Sequence, residues 1–386
     1  MIDASSWGGR AAAELESLRQ RNRLRRNEPF DGDGPAGTVR GRRVISFASN
    51  DYLGLASHPQ VKAAAREAID RFGTGTMASR LVVGTRSLHV ELESTIARWK
   101  AEERALVFPT GYAANIGVLT TFGAPDVTVF SDALNHASII DGCRLAKANT
   151  VVYRHADLEE LASLMGRTPG RKLVVTETVF SMDGDRVDVA ALSELCARHG
   201  ALLVLDEAHD VFEQNVPGAN GVELLRVGTL SKTLGSLGGF VAGPQPLIDL
   251  LVNRARTFIF TTGLTPADAA AALAALEICT GEEGVALRAR LRGWVDSIAP
   301  GHPSAILPIV IGADVAALAA AAQLFEKGIY VPAIRPPTVP VGTARLRVTL
   351  SAAHTEEMCG RLRRALQSMD AARTTSVLPT GSRARV

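Results

Sequence analysis

Lys232 and Asp206 are the residues whose types and placement most clearly indicate chemistry. Lys232 lies in the run Gly228–Gly235, and Asp206 opens the run Asp206-Glu207-Ala208-His209. A lysine amine can hold pyridoxal phosphate as a Schiff base, and a carboxylate can keep the ring nitrogen of that cofactor protonated. The pair therefore predicts a pyridoxal phosphate site, in which His209 could reach the phenolic oxygen or the Schiff-base region.

The segment Ala201–Leu205, which precedes Asp206, is short and entirely apolar. Such a segment is typical of a buried strand in a largely parallel sheet. Asp206 would then lie at the carboxyl end of the strand, where ligands of open α/β sheets bind. An alternative interpretation is that Asp206 caps the next helix and that His209 is a surface histidine. The neighbouring lysine run favours the cofactor site.

The run Pro109–Tyr112 lies between a predicted strand and a helix that begins near Ala113. The N–H groups and the dipole of a helix N-terminus favour a phosphate, and Gly111 would let an anion approach the backbone. Tyr112 could contact the cofactor or could be an ordinary residue at the start of a helix.

Two further runs follow predicted strands. His136, in Ser131–His136, could stack on a cofactor ring, and Ser181, in Glu177–Asp185, could donate a hydrogen bond. A turn alone would also explain the Asp-Gly pair in the second run. His136 is expected at the same end of the sheet as Asp206.

Strand-like runs alternate with helical patterns, which indicates βα units on a parallel sheet. The predicted strands of this part are 105–108, 127–130, 150–153, 173–176, 202–205 and 240–242, and the predicted helices are 59–71, 88–100, 188–199 and 266–279. A smaller α+β unit follows, with helices at 282–298 and 315–327 and strands at 305–311 and 345–350. We therefore expect an N-terminal segment (1–48) packed with the small domain, a large domain (49–280), a small domain (281–370) and a frayed tail (371–386).

The composition of the chain argues against some classes of function. The 42 basic and 40 acidic residues nearly cancel, which gives no electrostatic case for nucleic acid or an anionic membrane. Four separated cysteines predict isolated thiols, and no apolar run reaches the ~20 residues of a membrane span. No metal-binding motif is present in the sequence. We therefore expect a cytoplasmic enzyme that needs no metal.

The sequence resembles the α-oxoamine synthases, a family of fold type I pyridoxal phosphate enzymes (the aspartate aminotransferase-like fold). The resemblance runs from about Phe47 to His354 and rests on the stretches Ser49–Leu55, Ser79–Val82, Thr110–Tyr112, Asp132–Ser138, Glu177–Asp185, Asp206–His209 and Thr229–Gly235. It implies an α/β fold with a mostly parallel sheet in the large domain, a smaller α+β domain and a homodimer.

The resemblance also implies roles for individual residues. The catalytic residues would be Lys232, His136, Asp206 and His209. The residues that bind the cofactor would be Gly111, Tyr112, His136, Ser181, Asp206, His209, Thr229 and Lys232. Thr262 would contact the phosphate of the cofactor that is bound in the neighbouring subunit. Substrate would contact Arg25, Asn50, His136, Thr338 and Arg347, of which Arg347 would hold the carboxylate of the amino acid.

Members of this family join an amino acid to an acyl thioester with loss of carbon dioxide. The runs Ala333–Pro340 and Gly342–Arg347 favour the member that condenses L-alanine with a pimeloyl thioester, carried by coenzyme A or an acyl carrier protein. One departure is Asp210, where the family usually has glycine. The following segment, 211–221, also fits poorly, and Asn215–Asn220 is predicted to be an irregular loop.

Three alternatives stay open at the level of sequence. A sister synthase, such as glycine C-acetyltransferase or 5-aminolevulinate synthase, would share the cofactor residues. A nicotinamide oxidoreductase would need a glycine fingerprint in its first βα unit, which the sequence does not have. A non-catalytic protein of the same fold would have no use for Lys232, Asp206 and His209 together.

Overall fold

A computed structural model describes residues 6–213 and 221–370. The strands are β1 (Asp31–Gly32), β2 (Ala36–Val39), β3 (Arg42–Ser46), β4 (Arg104–Phe108), β5 (Val127–Asp132), β6 (Asn149–Tyr153), β7 (Arg171–Glu177), β8 (Leu202–Asp206), β9 (Leu224–Thr229), β10 (Gly239–Gly243), β11 (Ile306–Gly312), β12 (Ile329–Tyr330), β13 (Ala333–Ile334) and β14 (Ala344–Thr349). The helices are α1 (Trp7–Gln20), α2 (Pro59–Phe72), α3 (Ser87–Lys100), α4 (Gly111–Phe122), α5 (Ala137–Ala146), α6 (Leu158–Arg167), α7 (Val189–Arg198), α8 (Gln245–Arg254), α9 (Arg256–Ile259), α10 (Pro266–Thr280), α11 (Glu282–Ile298), α12 (Asp314–Glu326) and α13 (Glu356–Asp370).

The chain divides into two compact units. Among the described residues, the larger unit contains 50–213, 221–293 and 303–305, and the smaller unit contains 6–49, 294–302 and 306–370. The larger unit thus extends through most of α11, whereas the sequence analysis placed a boundary near residue 280. The predicted loop Asn215–Asn220 and the predicted tail 371–386 lie outside the described residues.

The larger unit is built on a seven-stranded sheet with the order β4-β10-β9-β8-β7-β5-β6. The strands from β9 to β6 are parallel to one another, and β10 is antiparallel to both of its neighbours. The predicted mostly parallel sheet is therefore confirmed.

Side chains of this sheet alternate between two apolar clusters. Leu173 and Val175 of β7 pack into one cluster, whereas Val174 between them packs into the other. All three side chains are buried. Successive residues of a strand point to opposite faces, so a strand covered on both faces must be apolar throughout. This requirement explains why the central strands could be recognised from their composition.

Strand β9 was missing from the sequence-based prediction. Its sequence, Leu-Leu-Arg-Val-Gly-Thr, places Arg226 in the middle of the sheet. The buried Arg226 guanidinium donates from Nε to Glu207 Oε1 (2.6 Å) and from Nη1 to the Lys100 carbonyl oxygen (2.9 Å). A buried cation is tolerated when it is paired and hydrogen-bonded. The strand therefore lacks the continuous apolar run on which the prediction depended.

The smaller unit contains two small sheets. One has the order β1-β2-β3-β12, with β12 parallel to β3, and the other has the order β11-β14-β13 and is antiparallel. The β2–β3 hairpin turns at Arg40 and Gly41, which both have positive φ angles, as two-residue hairpin turns require. This hairpin was also not predicted, because β2 is short and β3 begins with two exposed arginines, Arg42 and Arg43. No helix among the described residues has the length and apolarity to cross a membrane.

Candidate active site

Four polar residues lie at the carboxyl ends of adjacent strands in the larger unit. Asp132 ends β5, Glu177 ends β7, Asp206 ends β8 and Thr229 ends β9. Glu177 and Asp206 are direct partners in the parallel register. The parallel order of these strands brings all four residues to one edge of the sheet, where α/β proteins bind their ligands.

Lys232 follows β9 and reaches His209, which follows β8. Lys232 Nζ lies 2.7 Å from His209 Nε2, and His209 Nδ1 lies 2.5 Å from the hydroxyl of the buried Tyr52. The Tyr52 hydroxyl in turn donates to Asn50 Oδ1 at 3.4 Å. One direction satisfies every donor in this chain: the lysine donates to Nε2, Nδ1–H donates to the tyrosine oxygen, and the tyrosine donates to the amide. Tyr52 was not predicted from the sequence to be a functional residue.

The Asp206 carboxylate is buried and hydrogen-bonded through both oxygens. Oδ2 accepts from Asn115 Nδ2 at 2.7 Å, and Oδ1 accepts from the Ala208 N–H at 3.0 Å. The same Asn115 amide donates to Ser138 Oγ (2.9 Å), which lies 2.8 Å from His136 Nδ1. This network ties the orientation of Asp206 to that of His136. His136 is itself exposed and thus accessible to a ligand.

Asn115 and Ser138 were not predicted from the sequence. Asn115 lies on α4 among Ala114, Gly117 and Val118, and an isolated amide on an otherwise apolar and buried helix face is a signal that could have been used. Ser138 lies in the first turn of α5, two residues after His136, and gives no comparable signal.

Glu177 is a second buried acid beside Asp206. Its Oε2 accepts from the Ser181 N–H at 3.2 Å, so the buried Ser181 is held against the strand end. Burial raises the pKa of Glu177 to about 8, with a further contribution from the negative charge of Asp206. At neutral pH the Glu177 carboxyl is therefore protonated, whereas an exposed glutamate is ionised.

This shift predicts a pH dependence of stability for the protein without cofactor. The folded state holds a proton on Glu177 that the unfolded state releases near its usual pKa, so the free energy of unfolding falls as pH rises toward about 8. Glu177→Gln removes this dependence. We expect the variant to match the wild type at about pH 5 and to exceed it by a few kcal/mol at about pH 9 in urea unfolding. Parallel pH profiles for the two proteins would contradict the assignment.

The N-terminus of α4 is where the sequence predicts a phosphate to bind. Thr110 caps the helix by accepting the Ala113 N–H at 3.0 Å, and Gly111 is the first helical residue. A Cβ atom on Gly239 of β10 would lie 2.5 Å from the Gly111 nitrogen, so only glycine allows the strand to pass this helix end. Thr229 is adjacent, since a Cβ atom on Gly111 would lie 3.4 Å from its Cβ.

The other predicted cofactor residues, Tyr112, Thr262 and Thr229, make contacts with nearby residues. The exposed Tyr112 donates its hydroxyl to Asp141. Thr262 forms a β-bridge with Ser79. Thr229 Oγ1 donates to the Gly238 carbonyl oxygen at 2.9 Å.

Three of the predicted substrate residues lie in the smaller unit. Arg25 Nη2 donates to the Pro336 carbonyl oxygen (3.3 Å) and contacts Thr338 Oγ1 (3.5 Å). Arg347, on β14, is buried and donates from Nη1 to Thr349 Oγ1 at 2.9 Å. The structure thus brings Arg25 and Thr338 together, while Asn50 and His136 belong to the larger unit.

Asp210, the departure from the family pattern, forms an ion pair. Arg186 Nη1 and Nη2 donate to its two carboxylate oxygens, each at 2.9 Å, and Arg186 also pairs with Glu213 at 2.7 Å. The Asp210 side chain is buried. Asp210 therefore fixes the backbone after His209 through a bidentate contact with Arg186. A glycine at this position would leave the backbone free to bend.

The donor set fits pyridoxal phosphate. An amine, a buried carboxylate, an accessible imidazole and a helix N-terminus are present, and each has a counterpart on the cofactor. Asn115 Oδ1 and Glu177 Oε1, both buried, have no hydrogen-bond partner among the described residues, so the cluster has unused polar capacity.

A mostly parallel sheet with this site at its carboxyl edge defines the class of fold type I pyridoxal phosphate enzymes. The model of the family described as "Aminotransferase class I and II" matches residues 42–366. The chain therefore belongs to this family, and its cofactor is pyridoxal 5'-phosphate. The resemblance seen in the sequence is confirmed.

Curated relatives of high sequence identity show which members of the family this chain is similar to. An 8-amino-7-oxononanoate synthase from Anaeromyxobacter sp. (strain K) is 50% identical over 369 residues, which cover 91% of this chain and 92% of the relative. The protein of the same name from Geobacter sulfurreducens is 45% identical, covering 89% and 94%.

Solved structures agree on the fold. Serine palmitoyltransferase from Sphingomonas wittichii has a TM-score of 0.86 and 30% identity, covering 96% of this chain and 99% of that chain. An 8-amino-7-oxononanoate synthase from Francisella tularensis has a TM-score of 0.68 and 26% identity, covering 85% and 98%.

Proposed function

We propose that this protein is an 8-amino-7-oxononanoate synthase of biotin biosynthesis. It joins the α-carbon of L-alanine to the acyl carbon of a pimeloyl thioester, the thiol carrier leaves, and the alanine carboxylate is lost as carbon dioxide. The observation that carries the proposal is the cluster of Lys232, His209 and Asp206 in a chain 50% identical to a protein of that name. Serine palmitoyltransferase is 30% identical to this chain and the curated 8-amino-7-oxononanoate synthase is 50% identical, so the structural similarity to the former supports the shared fold and not the choice of substrate.

Bound pyridoxal phosphate supplies an electron sink for the negative charge that develops at the α-carbon of the amino acid. Lys232 would hold the cofactor through its amine, and the same amine would remove the α-proton of the amino acid. Asp206 would hold the proton at the ring nitrogen of the cofactor, because the Asn115 amide and the Ala208 N–H keep its carboxylate in place. His136 provides a ring for stacking, and its orientation is fixed by Ser138.

The hydrogen-bond chain through His209 supports the choice of Lys232 as the base. A lysine acts as a base only when its amine is neutral, and His209 Nε2, 2.7 Å away, is placed to exchange a proton with it. The Tyr52 oxygen accepts a hydrogen bond from Nδ1–H of His209 and so keeps Nε2 directed at the lysine. Tyr52 is therefore part of the proposed proton-transfer group.

Replacing Tyr52 by phenylalanine tests this role. The side chain keeps its volume, but the buried His209 loses its partner, which costs ~1–3 kcal/mol and predicts a fall in kcat of about tenfold. The bell-shaped pH profile of kcat should also shift, because the protonation of the Lys232–His209 pair changes. Tyr330→Phe, in the smaller unit, is the matched control. A Tyr52→Phe enzyme with an unchanged rate and pH profile would exclude the tyrosine from this group.

Arg25, Thr338 and Arg347 are proposed to bind substrate, with Arg347 on the alanine carboxylate. Arg25 is exposed and contacts the turn that contains Pro336 and Thr338, so it could receive the distal carboxylate or ester of the pimeloyl chain. The function is tested by offering L-alanine or glycine with acetyl, succinyl and pimeloyl thioesters. Preference for L-alanine and pimeloyl supports the proposal, whereas preference for glycine with a shorter acyl group would identify a sister synthase.

The carrier of the acyl group is proposed to be coenzyme A or an acyl carrier protein, and comparison of the two pimeloyl thioesters distinguishes them. We place the protein in the cytoplasm. The proposal is supported by its four cysteines, which are buried free thiols, as expected in a reducing compartment.

We also propose that the protein works as a homodimer, with Thr262 acting on the site of the partner subunit. The support is an exposed apolar surface in the larger unit beside the Ser79–Thr262 bridge. Its members are Met77, Leu81, Val82, Val83 and Phe260. Large contiguous apolar patches on a soluble protein usually mark an interface.

Sedimentation and dilution measurements should show a dimer that retains activity only while it is associated. Val82→Asp is expected to shift the protein toward monomer and to reduce activity by about tenfold or more, since it buries an unpaired charge in the interface. Lys147→Ala, at the exposed residue that follows α5, is the control. A fully active monomer would refute the dimer proposal.

A further inference from the structure

His155 forms a cluster that the proposed mechanism does not use. It follows β6 and lies between two carboxylates of the larger unit. His155 Nδ1 is 2.9 Å from Asp132 Oδ1, and His155 Nε2 is 2.7 Å from Asp185 Oδ2. The ring packs edge-on against Phe180, with the ring centroids 4.3 Å apart and the planes at 90°. One imidazole therefore joins three segments of chain.

The contacts require a charged ring. An ionised carboxylate only accepts hydrogen bonds, so a ring nitrogen must donate to each of the two partners. Burial alone would lower the pKa of His155, but the hydrogen bonds and charges of Asp132 and Asp185 raise it to about 10. These two acids are the charged groups that face the ring. His155 is thus an imidazolium throughout the neutral pH range.

Asp132 anchors the segment that leads to His136. It ends β5, and its buried carboxylate also accepts the N–H groups of Leu134 and Ala156, each at 2.8 Å. The Asn135 side chain donates to the Val175 carbonyl oxygen at 2.8 Å, which fixes the same segment against β7. Any displacement of Asp132 therefore moves the backbone that carries His136.

Asp185 closes the turn that begins after Phe180 and contains Ser181. The Phe180 N–H donates to the Asp185 carbonyl oxygen at 3.0 Å, and the Gly184 N–H donates to the Phe180 carbonyl oxygen at 2.8 Å. Because these hydrogen bonds join the two ends of the turn, a residue that contacts the Asp185 side chain holds the whole turn in place.

We propose that His155 is a positioning residue of the cofactor site, which bridges Asp132 and Asp185 and so holds His136 and Ser181 in the arrangement that receives pyridoxal phosphate. The inference rests on the proposed roles of His136 and Ser181. It assigns His155 no contact with cofactor or substrate.

The test is the affinity of the protein without cofactor for pyridoxal phosphate, followed by absorbance. His155→Gln leaves a neutral amide between two carboxylates and is expected to weaken the Kd about tenfold. The double variant His155→Gln/Asp185→Asn should recover most of this loss, because the introduced glutamine amide can donate to Asp132 while its oxygen accepts from the introduced asparagine. His199→Gln, at the end of α7, is the control.

A purely structural role for His155 gives a different result. It would lower the Tm of the cofactor-free protein and leave the Kd at low temperature unchanged, and this outcome would overturn the inference. Equal affinities for the single and double variants would also overturn it, because the two carboxylates would then not be coupled through the ring. Failure of the proposed function appears separately, as a wild-type protein that binds the cofactor but makes no product.

Discussion

Lys232→Ala is expected to abolish the attachment of pyridoxal phosphate that borohydride can reduce and to lower turnover by about 10²- to 10⁴-fold or more. The lysine both attaches the cofactor and removes the α-proton, and no other side chain in the described cluster offers an amine. The protein should keep its fold, because the lysine is half-buried and its removal leaves His209 in contact with Tyr52.

The measurement is borohydride reduction followed by peptide mass spectrometry, with near-UV circular dichroism as the check of folding. Lys62→Ala, on α2, is the control and should carry a reducible adduct on Lys232 as the wild type does. A reducible adduct on another lysine in the Lys232→Ala protein would contradict the assignment.

Asp206→Asn should bind cofactor and lose about 10²- to 10³-fold in kcat. An asparagine oxygen can still accept from Asn115 Nδ2, so the network that leads to His136 survives. A neutral amide does not hold a proton on the ring nitrogen, so the cofactor loses much of its ability to withdraw electrons. The defect should therefore appear in kcat and not in cofactor content.

Absorbance titration gives the cofactor content and steady-state rates give kcat for the same preparations. Asp249→Asn, which breaks an exposed ion pair with Arg104, is the control and should change neither quantity. Near-normal turnover in Asp206→Asn would show that the proton on the ring nitrogen is held by another group.

Much of the larger unit could be predicted from the sequence because its strands are covered on both faces. A strand such as Leu202–Asp206 must be apolar along its whole length, and its polar end then marks the edge of the sheet. Strand β9 escaped prediction because the charge of Arg226 interrupts its apolar run, and one of the groups that stabilise this arginine, the Lys100 carbonyl oxygen, is 126 residues away in the sequence. The β2–β3 hairpin escaped because an exposed basic strand resembles a loop.

The candidate site was predicted where one short run held several functional groups, as in Asp206–His209. It was not predicted where partners come from distant segments. Tyr52 and His209 are 157 residues apart, and Asn115 and Asp206 are 91 residues apart. The raised pKa of Glu177 could not be predicted from the sequence either. Its causes are the burial of Glu177 and its proximity to the charge of Asp206, and both depend on the register of β7 and β8. Short motifs identify reacting groups, while the groups that orient them require the folded chain.

The most direct measurement of the proposed function uses L-alanine labelled in its carboxyl carbon together with a pimeloyl thioester. We expect the label to appear in carbon dioxide, in equal amount with the free thiol, and the product to have the unlabelled mass of 8-amino-7-oxononanoate. Lys232→Ala should give neither product. Retention of the label in the product, or transfer of the amino group without release of carbon dioxide, would contradict decarboxylative condensation.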